Sequence, residues 1–523
     1  MSAVVFDEAE NTLSLSVFFS ISISINVSVS TFFINSAQLC CGRRAPPDIY
    51  GRSASTDKSM SLSQPGAVAA PPLNVLTTTT TPNGFSEPPR GWNSFGLASN
   101  DGTNGDFTFD QEGVIKQCNF LSSTLDDAGY TYCSLDSGWS VGDEGDEYGR
   151  IIGEESLFDI PALADHLHDR GLKLGLYVLP GAFVNDGKKT IKGTNDQIGS
   201  VCEGDNGFTR CNFDFDKEAT QKWHDSVVEL FAQWGVDMIK LDYVTPGSPD
   251  NDGNLPADNS GSVIAYHNAI EKSGRDIRLD ISWKLDRSPD YYDIWKSNAD
   301  SMRTDQDINN SEESTFVSWE TVQRAIDNYR QYIVLQVPSA ATTPLTIYPD
   351  MDNLFVGNPA GVSGVTDKQR QAIMTHWIGA AANLIVGSDL TSLDDFGIKL
   401  LTDRSALEVA DFTAKYPMQP RNPGTGKGEA VQLQAWIAGP SNDDGGAVVI
   451  LANYGPDLGQ GGFGTSLSGR QIVAASWSDL GISGTYNVRD VWEDEDLGDA
   501  DDQVSAELSE GDSRLLKLTP VKT

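Results

Sequence analysis

The sequence predicts a fold of the α/β class, a (β/α)8 TIM barrel followed by a C-terminal antiparallel β-sandwich domain. From residue 88 to about residue 411, short apolar segments alternate with amphipathic helical segments, a pattern typical of parallel strands joined by helices. Polar and aromatic residues follow most of the apolar segments, at the strand ends where such barrels carry their functional groups. Beyond residue 411 the helical periodicity ends, and short alternating segments predict the sandwich.

The first part of the chain has a different composition. Leu13 to Phe33 alternates apolar residues with serine, which suits neither a membrane span nor a signal peptide, since acidic residues and no basic residue precede it. Sequence rich in Pro, Ser and Thr follows. We therefore expect a poorly ordered leader and linker over residues 1–87, the catalytic barrel over 88–420 and the β-sandwich over 421–523.

Eight strands and six helices are expected in the barrel. The strands are Arg90–Phe95, Tyr130–Leu135, Leu172–Leu179, Val236–Leu241, Ile277–Trp283, Asp300–Thr304, a segment near Ile333–Val337, and Asn383–Val386. The helices are Phe109–Leu125, Ile160–Asp169, Lys217–Trp234, Val263–Ser273, Glu320–Tyr332 and Asp367–Ile378. A doubly wound sheet would require a Gly-rich phosphate turn after the first strand, and Gly91-Trp-Asn-Ser-Phe95 is not one.

The C-terminal module shows alternating segments bounded by turn residues and no helical pattern. Its expected strands are Ala430–Ile437, Gly446–Asn453, Gln471–Ser476, Gly484–Val491 and Ser513–Leu518. The acidic stretch Glu493–Asp502 lacks the spacing of a calcium loop and is expected to be a solvated loop. Trp436 follows a strand pattern that places it in the core, so we expect the module to be structural.

The composition excludes several classes of function. Asp and Glu number 74 against 37 Lys and Arg, a net charge of -37, which disfavours nucleic acids and anionic membranes as partners. The five histidines are scattered and the six cysteines lack zinc spacing, so we expect no metal. Cys118 and Cys133 are expected to be buried thiols. Cys202 and Cys211 flank a Gly-rich loop, and whether they form a disulfide is left open.

The predicted strand Val236–Leu241 places two charged side chains at the barrel mouth. Lys240 and Asp242 are two residues apart, so in extended chain they point to the same side. A glycosidase needs one carboxylate as nucleophile or base and one carboxyl that holds a proton. Asp242 suits the first role because Lys240 favours its ionised form, and either Asp305 or Asp307 suits the second.

Other strand ends add residues that suit a sugar ligand. Aromatic side chains can stack on the apolar face of a sugar ring, and charged side chains can bind its hydroxyls. The candidates are Asp136, Tyr177, Trp283, Arg303 and Asp352. No nucleotide-binding motif and no Ser/His/Asp or Cys/His set competes with this interpretation.

Several motifs, in order, resemble those of glycoside hydrolase family 27, the melibiase-type α-galactosidases. They are Pro88-Pro-Arg-Gly-Trp-Asn-Ser-Phe95, Leu135-Asp-Ser-Gly-Trp139, Leu172-Lys-Leu-Gly-Leu-Tyr177, Gly235-Val-Asp-Met-Ile-Lys-Leu-Asp242 and Arg303-Thr-Asp-Gln-Asp307. The resemblance covers about residues 88 to 523. It implies a retaining double displacement on α-galactoside oligosaccharides or polysaccharides, without metal or organic cofactor and with the two carboxyl groups about 5–5.5 Å apart.

The resemblance also assigns roles to single residues. Asp242 matches the nucleophile and Asp307 the general acid/base, while the sugar-binding positions are matched by Asp136, Tyr177, Lys240 and Arg303. Four positions depart from the family pattern, and they are Phe95 for the usual Trp, Ser137 for an Asp, Val244 for a Cys and Ser282 for an acidic residue. A Ser in place of an acidic residue removes a charged acceptor, which weakens the binding of sugar hydroxyls unless another group pairs with them.

These departures keep other specificities open. Related enzymes of the family act on β-L-arabinopyranosides or release isomaltose units from dextran, and a non-catalytic sugar-binding protein is the alternative from another class. The resemblance weakly favours secretion, whereas the leader lacks the features of a signal peptide, so the localisation is left open. The oligomeric state is not predicted.

Overall fold

The computed structural model describes residues 72–100, 105–248, 253–311, 313–337, 343–423 and 429–522. Eight strands of one parallel sheet are Arg90–Asn93 (β1), Tyr132–Leu135 (β2), Lys173–Val178 (β3), Val236–Leu241 (β4), Arg278–Ile281 (β5), Ser301–Arg303 (β6), Tyr348–Asp350 (β7) and Leu384–Val386 (β8). Their spatial order is β8-β1-β2-β3-β4-β5-β6-β7. Beyond β7, Leu354 N donates to Ile385 O at 2.7 Å, and Gly387 N donates to Leu354 O at 2.9 Å, which brings the two ends of the sheet together. The predicted (β/α)8 fold class is confirmed.

Helices surround the strands. They span Gln111–Phe120 (α1), Ile160–His168 (α2), Glu218–Trp234 (α3), Gly261–Ser273 (α4), Pro289–Asn298 (α5), Trp319–Gln336 (α6), Asp367–Ala380 (α7), Asp395–Thr402 (α8) and Arg404–Lys415 (α9). α1 begins after Asp110, whose carboxylate accepts the Gly113 N–H at 2.8 Å, and Thr366 caps α7 in the same way. Within the described parts of the chain, no helix is both long and apolar enough to cross a membrane.

The prediction of a seventh strand near Ile333–Val337 is wrong. Ile333 lies in the last turns of α6, where it is buried one turn after Tyr329 on the face that packs on the barrel. The apolar residues of this segment therefore continue the helical period and do not begin a strand. The true β7 is Tyr348–Asp350, and it brings Asp352 to the barrel mouth.

Residues 72–87 belong to the folded body, whereas the predicted leader and linker extend to residue 87. Leu76 is buried, and Thr78 forms a parallel bridge with Leu345. Thr81 Oγ1 and Asn83 Nδ2 donate to the two oxygens of buried Asp300, at 2.5 and 2.9 Å. These bonds tie the segment to the barrel, since Asp300 Oδ2 also accepts the Leu279 N–H of β5 at 2.7 Å.

The C-terminal domain is a β-sandwich, as predicted. Its strands are Leu433–Ala438 (β9), Ala447–Asn453 (β10), Gln471–Ser476 (β11), Tyr486–Asp490 (β12), Glu495–Ala500 (β13), Gln503–Leu508 (β14) and Asp512–Pro520 (β15). A sheet in the order β9-β10-β15-β12-β13, with the short strand Gln419–Pro420 at its edge, packs on the pair β11-β14. The solvated loop expected at Glu493–Asp502 is instead largely strand β13, an edge strand that keeps its carboxylates in solvent. A short helix, Trp477–Leu480, was also not predicted.

One face of the sandwich packs into the apolar core of the barrel, while the space between its sheets forms a second core. Trp436, from β9, is buried and donates its indole N–H to the Tyr454 hydroxyl at 2.8 Å, and that hydroxyl lies 2.9 Å from His376 Nε2 on α7. Trp319 at the start of α6 donates to Tyr454 O at 2.8 Å, and Trp492 donates to Thr375 Oγ1 at 2.8 Å. The aromatic residues of the sandwich thus hold it against the barrel.

Two disulfides are present among the described residues. Cys118 on α1 and Cys133 on β2 are bonded, with their Cα atoms 6.0 Å apart, so the prediction of two buried thiols is wrong. The cause is topological, because the chain turns back after α1 into β2 and brings the two side chains within bonding reach. Cys202 and Cys211 form the second disulfide, which closes the Gly-rich loop between them.

Candidate active site

Lys240, the second-last residue of strand β4, lies in a negatively charged environment. Lys240 Nζ donates to Asp136 Oδ2 at 2.8 Å, and Asn93 Nδ2 donates to the same oxygen at 3.1 Å. Burial lowers the pKa of Lys240, but the carboxylates of Asp136 and Asp242 outweigh burial and raise it. Nζ lies 5.6 Å from the ring centroids of both Phe95 and Tyr177. The ammonium is therefore fixed between two carboxylates and two rings.

Asp242 follows β4 and is held by its neighbours on the next strand and loop. Its Oδ1 accepts the Ser282 hydroxyl at 2.6 Å and the Tyr243 N–H at 2.8 Å. Burial, together with the charges of Asp242 and Asp136, raises the pKa of Tyr177 well above its ordinary value, so this phenol stays protonated beside Asp242. Ser282 is fully buried, so its hydroxyl serves the carboxylate of Asp242.

A second cluster is built around Arg303, at the end of β6. Its guanidinium is buried, and Nη2 lies 2.8 Å from Asp307 Oδ1 and 3.1 Å from Asp352 Oδ2. Asp352 Oδ2 also accepts the Ile308 N–H at 2.8 Å. Desolvation raises the pKa of Asp307 to about 6, against the opposing effect of Arg303 and with support from the charges of Asp352 and Asp242. Asp307 is therefore the carboxyl at the mouth that can hold a proton near neutral pH, and its side chain remains 36% exposed.

The carboxylate of Asp305, the other candidate for the acid, is bound by side chains of α6. It is buried, and its two oxygens accept Arg324 Nε at 2.8 Å and Asn328 Nδ2 at 2.9 Å. Lys284 Nζ lies 3.8 Å away. These partners satisfy an ionised carboxylate, so Asp305 braces the loop after β6 against α6.

Beneath the two clusters lies a pair of buried carboxyl groups that sequence reasoning missed. Burial, and next the charge of Asp280, raises the pKa of Asp350 to about 8, and burial also raises the pKa of Asp280. Ser301 Oγ donates to Asp280 Oδ1 at 2.6 Å. Together with Lys240 and Arg303 they line a cavity of about 20 Å³, which is room for about one water molecule. Their strands are short, and Asp350 follows a proline, so neither position carries a distinct sequence signal.

The remaining predicted residues lie at the rim. Ser137 is exposed, and its N–H donates to Asp136 Oδ1 at 2.8 Å. Trp283 lies edge-on to Tyr243, with ring centroids 5.8 Å apart. The charges of Asp242 and Lys240 act on Asp307, so the β4 cluster and the Arg303 cluster face one site. Among the described residues, no group of three or more His, Cys, Asp or Glu side chains is arranged to hold a metal ion.

The chain matches family models over most of its length. Residues 111–217 and 203–411 match the family model described as alpha galactosidase A, and residues 431–518 match that of the alpha galactosidase C-terminal beta sandwich domain. Alpha-galactosidase 3 of Hypocrea jecorina is 49% identical over 477 residues, covering 88% of this chain and 76% of the relative. An alpha-galactosidase of Cyamopsis tetragonoloba is 26% identical over 84% of this chain and 88% of its own length.

Solved structures show the same fold at lower identity. A β-L-arabinopyranosidase from Geobacillus stearothermophilus, solved with arabinose, superposes with a TM-score of 0.68 at 23% identity, and the match covers 84% of this chain and 98% of that one. At this level of identity the similarity concerns the fold, which includes the barrel and the sandwich together.

Proposed function

Because this chain belongs to glycoside hydrolase family 27, the melibiase-type α-galactosidases, we propose that its barrel mouth hydrolyses terminal α-D-galactosyl residues of oligosaccharides or polysaccharides. Asp242 is the nucleophile and Asp307 the general acid/base. The observation that carries this assignment is the contrast between the two carboxyl groups. Asp242 accepts two hydrogen bonds at Oδ1, whereas desolvation raises the pKa of Asp307 to about 6.

In the first step the Asp242 carboxylate attacks the anomeric carbon and the glycosidic C–O bond breaks. Asp307 gives its proton to the departing oxygen, so the leaving group departs as an alcohol and a glycosyl-aspartate ester remains. In the second step the Asp307 carboxylate takes a proton from water, and the hydroxide oxygen attacks the anomeric carbon. The ester bond breaks, Asp242 is released as a carboxylate and the product retains its anomeric configuration.

The neighbouring side chains hold the sugar in place for these steps. Lys240 and Asp136 form a donor and acceptor pair for ring hydroxyls, and the buried Arg303 with Asp352 forms a second pair. Tyr177 and Phe95 flank Lys240 and supply apolar surface to the ring. Fixed charges in a partly enclosed site stabilise the developing oxocarbenium ion without reorganisation of solvent.

Two variants test the assignment. Asp242→Ala should lose turnover of p-nitrophenyl α-galactoside and recover part of it with azide, which takes the place of the missing carboxylate. Asp307→Ala should lose far more activity on oligosaccharides than on the p-nitrophenyl substrate, whose leaving group needs little protonation. Asp169→Asn is the control, because Asp169 is an exposed aspartate at the end of α2. Full activity in Asp242→Ala would overturn the assignment.

A second specificity is favoured by one observation. Ser137 stands exposed at the mouth where the family commonly has an acidic residue, and a β-L-arabinopyranoside differs from an α-galactoside in lacking the hydroxymethyl group at C5. The β-L-arabinopyranosidase fold neighbour shows that the scaffold supports this substrate in that protein. The kcat/KM ratio for the two p-nitrophenyl glycosides, with α-glucoside and dextran alongside, identifies the preferred sugar. Calorimetric binding without turnover would instead indicate a non-catalytic sugar-binding protein.

A further inference from the structure

The small cavity beneath Lys240 and Arg303 lies on the axis of the barrel, and we call it the axial cavity. Every strand from β1 to β8 contributes at least one residue to its lining. Gly175 leaves space there for the Ser134 hydroxyl, because a Cβ at position 175 would collide with Ser134 Oγ. The free volume of about 20 Å³ accommodates one water molecule, provided that polar groups surround it.

Two polar atoms of the axial cavity are buried and have no hydrogen-bond partner among the residues that the structure describes. They are Arg303 Nε and Ser134 Oγ. The two residues are 2% and 6% exposed, so bulk solvent does not reach these atoms. Buried donors in native proteins are almost always paired, and ordered water pairs them where no protein group is in reach.

The buried carboxyl groups of Asp350 and Asp280 supply further partners. Asp350 and Arg303 are neighbours in the register of β6 and β7, so both side chains point to the same side. Asp350 Oδ2 lies 3.9 Å from Arg303 Nε, too far for a hydrogen bond but within the span of a water that bonds to both atoms. Burial raises the pKa of Asp350 to about 8, so this carboxyl keeps its proton near neutral pH and can donate. Asp280 and Ser134 can accept the two hydrogens of the water.

The other end of the Arg303 guanidinium binds the carboxyl assigned as general acid/base. Arg303 Nη2 lies 2.8 Å from Asp307 Oδ1 and 3.1 Å from Asp352 Oδ2. A guanidinium is planar and rigid, so a bond at Nε fixes the direction of Nη2. Burial raises the pKa of Asp307, and the charge of Arg303 opposes that rise. Movement of the guanidinium away from Asp307 would therefore raise the pKa of the acid further.

We propose that the axial cavity binds one water molecule that links Arg303 Nε to Asp350 and Ser134, and that Asp350 and Ser134 are positioning residues for the acid/base Asp307. They act through the water and the guanidinium, without contact with the reacting atoms. The inference rests on the proposed function, and it deepens that function by extending the active site to residues beneath the sugar.

A crystal structure of the full chain, at a resolution that shows ordered water, tests the site directly. Density for one water should lie about 2.7–3.2 Å from both Arg303 Nε and Asp350 Oδ2. A dry cavity, or a direct bond between these two atoms, would overturn the proposal. This result is read without an assay of activity, so it is independent of the proposed function.

Ser134→Ala tests the positioning role, because it removes one partner of the water and no charge. On raffinose, whose leaving group needs protonation, kcat should fall about 3- to 10-fold with little change in KM. The falling limb of the pH profile of kcat/KM should move to higher pH, since Arg303 is held less firmly against Asp307. The variant leaves in place the charges that act on Asp307, which are those of Arg303, Asp352, Asp242 and Lys240.

Ser226→Ala is the matched control for this variant. Ser226 is a buried serine of α3 whose hydroxyl donates to Trp223 O at 2.8 Å, so its loss should move neither kcat nor the falling limb. A limb that stays in place or moves to lower pH in Ser134→Ala overturns the positioning role. A wild-type protein that hydrolyses neither raffinose nor p-nitrophenyl α-galactoside overturns the proposed function instead.

Asp350 provides a second pair of variants. Asp350→Ala removes the donor to the water and should move the falling limb to higher pH, whereas Asp350→Asn keeps a donor of the same shape and should hold the limb near its wild-type position. Loss of a negative charge alone would lower the pKa of Asp307, so the direction of the shift separates positioning from a simple charge effect. Equal limbs in the two variants would overturn the role of Asp350.

Discussion

Replacement of Asp352 by Asn should move the pH dependence of catalysis while leaving the fold intact. Asp352 and Asp307 share one nitrogen of Arg303, at 3.1 and 2.8 Å, and the negative charge of Asp352 helps to raise the pKa of Asp307. Asn removes that charge at almost constant size. Asn is also suited to the positive φ of 76° at this position, because it adopts the left-handed region more readily than most residues.

The geometry sets the size of the effect. The two carboxylate oxygens cannot be more than about 6 Å apart, since they lie 2.8 and 3.1 Å from the same Nη2 atom. Two charges at that separation interact by about 3 kcal/mol at an effective dielectric constant of ~20, which is about 2 pKa units. Because the Asp307 side chain is 36% exposed, solvent screening reduces this to about 1 unit.

The assay is the pH profile of kcat/KM, which reports ionisation in the free enzyme. In the proposed mechanism Asp307 acts as an acid only while protonated, so the wild-type profile should fall above about pH 6. Removing a charge that raises this pKa must lower it, so the falling limb of Asp352→Asn should lie about 1 unit lower. Asp169→Asn removes the same charge at an exposed position at the end of α2 and should leave the limb in place. A limb that stays at its wild-type position in Asp352→Asn would refute the coupling.

Three further outcomes follow from the described contacts. Ser282→Ala should lower kcat about 10-fold with little change in KM, because a buried donor to the Asp242 carboxylate is lost. Steady-state kinetics would test this, with Ser282→Thr as the conservative control. A rise in KM alone would contradict it. Replacing Cys118 and Cys133 by Ala should lower the free energy of unfolding in urea by about 3 kcal/mol, since the bond closes a 15-residue separation; an unchanged urea midpoint would show that this link adds no stability. Burial raises the pKa of Asp350 to about 8, so its carboxyl binds a proton more tightly in the folded state. The free energy of unfolding should therefore fall as pH rises from about 4 to 8. The difference in unfolding free energy between pH 5 and pH 8, measured with urea, should be smaller in Asp350→Asn than in the wild type, and an equal difference would exclude that contribution.

The parts of the fold that were predictable have strong local signals. Strand β4 has the predicted bounds, Val236–Leu241, because an apolar segment begins directly after Gly235, which ends α3 in a left-handed conformation. The segment around Ile333 failed because its apolar residues satisfy both a short strand and one more turn of helix. Packing of α6 on the barrel decides between them, and no local feature of the sequence records that packing.

The candidate site, like the fold, has features that adjacent residues predict and features that they do not. The nearness of Lys240 and Asp242 at the end of β4 follows from the period of a strand, so it could be predicted from adjacent residues, whereas the ion pair of Lys240 with Asp136 could not. The choice between Asp305 and Asp307 as the acid could not be predicted, because it depends on Arg324 and Asn328 of α6, which hydrogen-bond to Asp305. The role of the Ser282 hydroxyl depends in the same way on a partner 40 positions away. Contacts between elements distant in sequence therefore set the details of the site.

The apolar contact between barrel and sandwich has a consequence for how the chain is made. The barrel helices α6 and α7 are synthesised before Tyr454 and the strands that cover them, so the surface around Trp319 and His376 is exposed on the growing chain until the last strands emerge. Folding of the barrel can begin early, but its completion must wait for the C-terminal residues. A chain that terminates within the sandwich would carry a barrel with an open apolar face, which favours aggregation and chaperone binding. The barrel therefore depends on the C-terminal domain to cover the apolar surface of α6 and α7.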